Sequence, residues 1–591
     1  MNKIFFTLVL LAITSNTSAE ISTKKQVENV LVLKGATLID GLGGPPLPEA
    51  IVVIKGDRIQ SIQSADSSYP STAASIDLSG KYIIPGLIES HAHHERWMGE
   101  VYLNHGVTTV LAVGGDLNAF KRLSQDAATR TPRIFDSAGK VSLFPDMSKD
   151  QVHESINMWL QKKPDFAQFP PFDDEISQVY RWAAEEVHRA GLTVFGHTEN
   201  APESIRAGQD VVEHIWGFVE AQMSPQKLLE FREGRHLHWS TFITDWSHLD
   251  KMIREAVARG VDINPTLFFE LGSLSPSAGK HEQETYQLYS KPNLMAYFPG
   301  NIAASLLQKQ RQIRNFSSTH QNVMFISEIA PAELQELQQG YQMVLEFLNR
   351  FVQAGGKLQA GTDSPSGGTP GLSLHQEMEL FVEAGLTPMQ ALQSATLWSV
   401  SMLAGKNGAL GNPRLGSLVP RNFADLVILT ANPLENISNT QKIERVMKGG
   451  KFIDLDYTPT YFSFTESPRK ISMATPVPEI SSISPHTLIE GTGEFDLIVK
   501  GVGFMGTSIV QIDNISIPTQ FISPRELRTK ISGKIVEKAT PNPWHAPGPY
   551  QKTGIFGDRT IRVTVFNPPP EGGSSEGISL RVRARWMSIE N

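Results

Sequence analysis

The chain has 591 residues, of which 40% are hydrophobic and 19% are charged, and its formal net charge is −8. It exceeds the roughly 250 to 300 residues at which single hydrophobic cores stop growing, so a folded protein with more than one domain is expected. The negative charge provides no basic surface for nucleic acid, and a small molecule is the expected partner. The absence of cysteine excludes disulfides and thiolate ligands, so a bound metal would need histidine, carboxylate or water.

The N-terminal residues 1–19 predict a secretory signal peptide. Lys3 precedes a short apolar run at 4–13, and small residues follow as far as Ala19. The apolar run is shorter than the about 20 residues that a membrane-spanning helix needs. We therefore expect cleavage, no stable membrane span afterwards, and a secreted or periplasmic protein. An uncleaved membrane anchor is the alternative.

Two segments rich in β-branched residues flank the middle of the chain. Residues 29–84 contain VLVLKGATLI and IVVIKGDRI, and residues 405–456 contain FADLVIL and IERVMKGGKFI. Short runs of this kind, separated by Gly and Pro turns, predict the strands of a small β-sandwich. We expect one composite sandwich that is built from both flanks.

Residues 85–404 alternate short apolar runs with helix-like stretches. GVTTVLAV, LTVFGHT and KLQAGTD are typical of buried strands, and SQVYRWAAEEVHRAG is typical of a helix. This alternation predicts a parallel sheet, and eight such units close into a (β/α)8 TIM-like barrel. The pattern weakens over 271–339, which we interpret as a lid or a substrate-binding insertion, with disorder as the alternative.

The last part of the chain has a different composition. Residues 457–478 are rich in Ser, Pro and Thr and predict a linker, and residues 479–591 contain short alternating runs such as FDLIVKGVGF and IRVTVFNPPP. These runs predict a separate all-β, Ig-like sandwich. The segment resembles the IPT/TIG type of Ig-like domain, and that fold by itself implies no chemistry.

Four histidines and one aspartate are the candidate metal ligands. His91 and His93 follow an apolar run, and the period-two alternation of a strand places both imidazoles on one face, where they can chelate one cation. His197, His214 and Asp363 each follow a short apolar run and precede a loop, where a barrel carries its chemistry. Buried structural histidines and a turn aspartate are the alternatives.

The order of these segments resembles the amidohydrolase superfamily, on its imidazolonepropionase-like and prolidase-like branch. The resemblance is carried by PGLIESHAH, GVTTV, the histidines after two later strands, GTDS, SATLWSVSMLAG and FADLVIL. It implies a metal-dependent hydrolase that cleaves a C–N bond in an amide, a dipeptide or a cyclic amide, with zinc as the favoured ion. It also implies that the metal and catalytic set consists of His91, His93, His197, His214 and Asp363.

The roles of these residues follow from what hydrolysis requires. A water molecule on a divalent ion has its pKa lowered from about 15.7 to about 7, which makes it a nucleophile at neutral pH. Asp363 would take the proton of this water and return it to the leaving nitrogen. His214 would either bind a second ion or donate a hydrogen bond to the substrate. Self-association into a homo-oligomer is left open.

Gln168 departs from the pattern of the family. In KPDFAQF it stands where relatives with a two-metal centre usually carry a carboxylated lysine, and a neutral amide cannot be carboxylated. The sequence therefore favours a single ion. The second possibility is a pair of ions bridged by water or by a carboxylate such as Asp173 or Glu175.

Two further functions are weighed against amide hydrolysis. A nucleobase-type deaminase could use the same barrel, but relatives of that kind usually carry a glutamate three residues after the histidine of strand five. Here that position is Asn200, which weakens the deaminase hypothesis. A catalytically inactive barrel in a binding or adhesion protein, acting through the Ig-like domain, is the third possibility. Retention of Asp363 argues against it.

Overall fold

The computed structural model describes residues 30–457 and 478–583, apart from gaps at 71–72, 96, 115–120, 123, 127–128, 174–175, 233–238, 244, 290, 298–314, 320–321, 326–330, 366–367, 490–491, 505–507, 514, 534–558, 568–574 and 576. The expected signal peptide at 1–19 and most of the expected linker lie outside these residues. None of the helices in the described ranges combines the length and the apolar character that a membrane crossing requires.

The strands of the described ranges are β1 Val30–Leu38, β2 Leu47–Lys55, β3 Arg58–Gln63, β4 Ala74–Asp77, β5 Tyr82–Pro85, β6 Leu87–Ala92, β7 Val107–Ala112, β8 Arg133–Asp136, β9 Ala167–Phe172, β10 Val194–Thr198, β11 Val211–Glu213, β12 Asp262–Asn264, β13 Asn315–Thr319, β14 Asn322–Phe325, β15 Leu426–Leu429, β16 Ile443–Lys448, β17 Lys451–Ile453, β18 Glu479–Ser484, β19 Thr487–Ile489, β20 Phe495–Val502, β21 Ile509–Ile512, β22 Ile515–Ile517, β23 Thr519–Ser523, β24 Glu526–Ile531, β25 Arg559–Phe566 and β26 Ile578–Arg583. The α-helices are α1 Met98–Asn104, α2 Lys149–Leu160, α3 Ser177–Arg189, α4 Ala201–Ala207, α5 Trp216–Glu220, α6 Pro225–Arg232, α7 Trp246–Ala258, α8 Leu267–Leu271, α9 Ala278–Tyr289, α10 Pro292–Tyr297, α11 Pro331–Gln353, α12 Leu372–Glu383, α13 Pro388–Ser394 and α14 Ser401–Ala404.

Strands from both flanks of the central segment share one sheet. Its order is β17-β16-β15-β5-β1-β2-β3, and β4 pairs with β1. The two flanks join where β15 pairs antiparallel with β5, from Leu426 opposite Pro85 to Leu429 opposite Tyr82. One face of the sheet buries aliphatic side chains from both flanks, including Val52, Ile83 and Leu426, so the two segments form one hydrophobic core.

The central segment contains two parallel sheets. One joins β6, β7 and β8, and the other has the order β12-β11-β10-β9. Three parallel bridges lie between and beyond these sheets: Lys140 with Gln168, Ile263 with Leu358, and Ala92 with Ser364. These links follow the circular order of strands that a (β/α)8 barrel requires. Closure of the barrel stays a prediction.

Local sequence signals explain where several helices of this segment begin. Ser148 caps α2 by accepting a hydrogen bond from the backbone N–H of Gln151, while the Gln151 side chain accepts one from the Ser148 N–H. Thr387 and Gln390 form the same reciprocal arrangement at α13, with a proline at the first helical position. Such capping boxes satisfy backbone donors that have no partner inside the helix, and so they fix its first residue.

The stretch at 271–339 has more regular structure than its sequence pattern indicates. It contains α9, α10 and the hairpin β13–β14, and α9 buries His281, Thr285, Leu288 and Tyr289. These residues have helical spacing, but two of them are polar, and for that reason the pattern was weak. The hydroxyl of Tyr297 in α10 donates to the backbone oxygen of Trp97 at 2.6 Å. The helices at 278–289 and 292–297 argue against the alternative of disorder there, and a lid role stays a prediction.

The described residues between 478 and 583 form a β-rich unit with two sheets. One sheet has the order β18-β20-β24-β23, and the other has the order β19-β26-β25-β21-β22. Alternating positions of these strands bury a separate core that includes Leu497, Val499, Val510, Leu527 and Val563. The Ig-like type of this unit stays a prediction.

Candidate metal site

The structure brings Asp363 together with His91 and His93, which precede it by about 270 residues in the chain. Nε2 of His93 lies 3.0 Å from Oδ1 of Asp363, and Nε2 of His91 lies 3.5 Å from the same oxygen. The His91 side chain is almost fully buried at the end of β6. The backbone N–H of Asp363 donates to the His91 oxygen at 2.9 Å, so the backbone itself holds the aspartate beside this strand.

The remaining predicted ligands form a second group around a carboxylate that the sequence did not single out. His197 ends β10, and His214 follows the neighbouring parallel strand β11. Between their imidazoles lies Glu213, whose Oε1 is 2.7 Å from Nε2 of His197 and 3.9 Å from Nε2 of His214. Glu213 is buried, with 3% of its side chain exposed.

Glu213 escaped the sequence argument because strand alternation places neighbouring residues on opposite faces. The strand ends at Glu213, however, and His214 has a φ of 60°, in the left-handed region. This turn of the backbone lets both side chains reach the same site. Asp363, with a φ of 53°, is in the same region. Such backbone conformations cost of order 1–3 kcal/mol each and persist where surrounding contacts hold them.

A carboxylate next to a predicted histidine ligand at a strand end is the sequence signal that could have found Glu213.

Glu213 also connects the two groups. Its Oε1 lies 3.2 Å from Nε2 of His91, the nitrogen that faces Asp363. Oε2 of Glu213 is buried and has no hydrogen-bond partner among the residues that the structure describes. The two groups are therefore adjacent and are linked by the contact of Glu213 with His91, and the nitrogen–oxygen distances among the six side chains are 2.7 to 3.9 Å.

The electrostatics of the site favour two anionic carboxylates. Burial by itself raises the pKa of Glu213. The nearby His197 and His91 more than reverse this effect, so the pKa of Glu213 lies well below its usual range. Burial likewise raises the pKa of Asp363, and hydrogen bonds from His91 and His93 more than reverse that effect. Anionic carboxylates surrounded by imidazoles are the donor set that divalent transition-metal ions prefer.

His214 is held as a neutral imidazole with a defined tautomer. Burial, followed by the charge of His197, lowers the pKa of His214 well below its usual value. Its Nδ1 lies 2.5 Å from Oγ1 of Thr266, and that hydroxyl donates to the backbone oxygen of Pro265 at 2.8 Å. The hydroxyl therefore accepts a hydrogen bond from Nδ1–H of His214, which leaves Nε2 with a lone pair toward the site.

Glu89 is a second residue that the sequence argument missed. It is fully buried, and its Oε1 accepts hydrogen bonds from the backbone N–H of His91 at 3.1 Å and of Thr362 at 3.0 Å. Its Oε2 accepts one from the Thr362 hydroxyl at 2.7 Å. Glu89 thereby ties the strand of the first two histidines to the loop that carries Asp363. Its position two residues before His91 is the period-two signal that could have found it.

Gln168 lies beside the site. It is 1% exposed, and its Oε1 has no hydrogen-bond partner in the described part of the chain. A Cβ atom on Gly114 would lie 3.4 Å from Nδ1 of His93 and 4.0 Å from this oxygen, so the amide and the imidazole flank the same glycine. Of the two carboxylates considered as bridges, Asp173 accepts a hydrogen bond from the Ile176 N–H, and Glu175 lies outside the described residues.

The side chains of the site differ in exposure. The side chains of His93 and His197 are 34% and 25% exposed, whereas those of His91 and His214 are 1% and 3% exposed. The Trp216 ring stacks on His214, with centroids 4.3 Å apart and an angle of 9° between the planes. A small molecule would therefore reach the site from the side of His93 and His197.

A further cluster of possible ligands, formed by His281, Glu284 and Glu379, has a different character. The ammonium group of Lys280 contacts Glu379 and lies 3.0 Å from Oε1 of Glu284. Because this lysine already supplies the positive charge, the cluster is an ion-pair network.

Comparison with curated proteins finds relatives that match parts of the chain, whereas no protein-family model matches it. An adenine deaminase of Rubrobacter xylanophilus is 24% identical over 315 residues, which cover 42% of this chain and 50% of that protein. An N-acyl-D-glutamate deacylase of Alcaligenes xylosoxydans xylosoxydans is 40% identical over 65 residues, 11% of this chain and 13% of that protein. The chain thus spans half or less of the length of these relatives.

Two solved structures share the fold of most of the chain. A candidate prolidase from Bifidobacterium longum has a TM-score of 0.51 and 19% identity, and the match covers 73% of this chain and 95% of that one. A bottromycin amidohydrolase has a TM-score of 0.50 and 20% identity over 72% of this chain and 87% of that one. At these identities the likeness shows the fold alone. With the partial sequence matches, it supports the resemblance to the amidohydrolase superfamily.

Proposed function

We propose that this protein is a metal-dependent hydrolase that cleaves a C–N bond in an amide, a dipeptide or a cyclic amide. The observation that carries the proposal is the assembly of four imidazoles and two anionic carboxylates in two adjacent groups, which the contact of Glu213 with His91 links. The proposal includes the (β/α)8 barrel as the scaffold. Export to the periplasm or out of the cell is also part of it and rests on residues 1–19 alone.

The donor set fits a divalent ion, with zinc favoured. His91, His93 and Asp363 would hold it, together with Glu213 and the imidazoles of the second group. When bound, such an ion lowers the pKa of a water molecule and polarises a substrate carbonyl. The buried Oε2 of Glu213, which has no hydrogen-bond partner among the described residues, is the orphaned atom that a cation would satisfy.

The remaining chemistry belongs to the residues of the chain. The depressed pKa of Asp363 means that its carboxylate is free of a proton at neutral pH and can accept one from the attacking water. The same group then returns the proton to the leaving nitrogen. The exposed faces of His93 and His197 define the entry side, and the burial of His91 and His214 keeps bulk water from the opposite side.

Metal analysis and one substitution test this proposal. The purified full-length protein, expressed with sufficient metal, should contain a divalent ion at near-stoichiometric amounts. Asp363→Asn should retain much of this metal and lose turnover of N-acyl amino acids and dipeptides. A metal-replete protein without any divalent ion would contradict the proposal, as would an Asp363→Asn variant with unchanged turnover.

A deaminase acting on nucleobases is the second candidate, and the partial match to the adenine deaminase favours it. Ammonia release from adenine, measured beside amino-acid release from N-acyl amino acids and dipeptides, separates the two. The third candidate, a binding protein that acts through residues 479–591, predicts that deleting this segment abolishes partner binding. A catalytic central segment should keep its turnover after the same deletion.

A further inference from the structure

We infer that Glu213 is a metal ligand shared by two ions, in the bridging role that Gln168 is unable to fill. This inference rests on the proposed metal-dependent function. The inferred pair of ions differs from the single ion that the sequence favours, an expectation based on Gln168 in the place of the carboxylated lysine.

The first argument is the spacing of the ligand atoms. Nitrogen and oxygen ligands at roughly 2.0–2.2 Å from one zinc ion lie roughly 2.8–3.7 Å apart when the angle at the metal is about 90–120°. The distances within the first group, 3.0 and 3.5 Å, fall in this range. Oε1 of Glu213 has the same spacing from Nε2 of His91, at 3.2 Å, and it also contacts Nε2 of His197 in the second group, at 2.7 Å.

The second argument is which nitrogen Glu213 contacts. A carboxylate that only orients a ligand histidine bonds the ring nitrogen that points away from the metal. Glu213 instead contacts Nε2 of His91, the nitrogen that faces Asp363, while Nδ1 of His91 has no hydrogen-bond partner in the described residues. In His214 the outer nitrogen is already taken by Thr266. Glu213 therefore lies on the ion-facing side of these imidazoles.

The third argument is charge. Two divalent ions among neutral imidazoles need anionic ligands, and a glutamine in place of a carboxylated lysine removes one anion. The nearby carboxylates have other partners: Glu89 accepts three hydrogen bonds from His91 and Thr362, and Glu270 lies on the Nδ1 side of His214, at 3.5 Å. In the described part of the chain, Glu213 is the carboxylate that contacts both histidine groups.

The experiment compares metal content in isosteric variants of the full-length protein. After saturation with Zn²⁺ and removal of loosely bound ions, elemental analysis should give two ions per chain for the unmodified protein and one or fewer for Glu213→Gln. Glu377→Gln is the matched control, because it makes the same isosteric change at a fully buried glutamate that bonds backbone N–H groups of α8 instead of imidazoles. It should keep two ions.

A spectroscopic measurement on the unmodified protein keeps the test independent of how the variants fold. Loading with Mn²⁺ should give the electron paramagnetic resonance signal of an exchange-coupled pair, and Glu213→Asp should weaken that coupling. One ion per chain at saturation would overturn the shared-ligand inference and leave the proposed function standing. Two coupled ions in Glu213→Gln would overturn it as well. No bound ion in the unmodified protein would overturn both.

Discussion

Glu89 offers a test of how the metal ligands are held, because alanine and glutamine at this position should have very different effects. Glu89→Ala leaves the backbone N–H of His91 without an acceptor in a fully buried place, whereas the Thr362 N–H keeps its longer hydrogen bond to the His91 oxygen at 3.3 Å. A buried donor without an acceptor costs about 1–3 kcal/mol, so we expect a loss of about 1–3 kcal/mol in the free energy of unfolding. The Thr362 hydroxyl adds little to this loss, since it also contacts the Ser364 hydroxyl at 2.6 Å.

Glu89→Gln should cost much less. Both backbone donors bond the same oxygen, Oε1, and the amide of glutamine retains that acceptor. Its NH2 group would donate to the Thr362 hydroxyl, which then donates to Ser364. Comparison of the two variants thus distinguishes how much the hydrogen bonds of Glu89 contribute to the free energy of unfolding from how much its ionisable carboxyl contributes.

Urea unfolding of the metal-depleted protein measures the difference. Tryptophan fluorescence reports on the central segment, because seven of the nine tryptophans lie before residue 457, at 97, 159, 182, 216, 239, 246 and 398. Removal of the metal keeps ion binding from adding to the stability of either variant. If the alanine and glutamine variants unfold within about 0.5 kcal/mol of each other, the reasoning from orphaned donors is refuted.

Three further predictions concern the surroundings of the site. Burial raises the pKa of Glu377 from 4.5 to about 8, so between these pH values the folded protein keeps a proton that the unfolded chain has lost. The free energy of unfolding therefore falls as the pH rises from 4.5 to 8, by up to about 5 kcal/mol. Glu377→Gln should remove this pH dependence in urea unfolding measured across the same range. Gly361→Ala would place a Cβ 2.6 Å from the His91 Cβ, and we expect both the melting temperature and the metal content to fall; normal values for both would contradict the packing argument. Thr266→Val removes the acceptor for Nδ1–H of His214 and should weaken metal binding about 10- to 100-fold in a chelator competition, with little change in melting temperature.

The sequence located those site residues that obey the simplest rules of strand geometry. His91 and His197 could be found because each follows an apolar run near a strand end, and Asp363 because it follows a short apolar run. Glu213 was missed because strand alternation places it on the face opposite His214, and its contact with the site depends on the left-handed backbone of His214. The helix α9 was missed for another reason, since the face that it buries includes His281 and Thr285 where aliphatic residues would have shown the period.

The pairing of β15 with β5 has a consequence for how the chain reaches its native state. The strand at Leu426–Leu429 lies between β5 and β16, and its neighbour Tyr82–Pro85 precedes it by more than 340 residues. Until residues 426–429 have been synthesised, β5 is an open edge with unpaired backbone groups, which can pair with other chains. Contacts of such large sequence separation also slow folding. A ribosome-bound or truncated chain that stops before residue 426 is therefore expected to aggregate, even though it carries every predicted metal ligand.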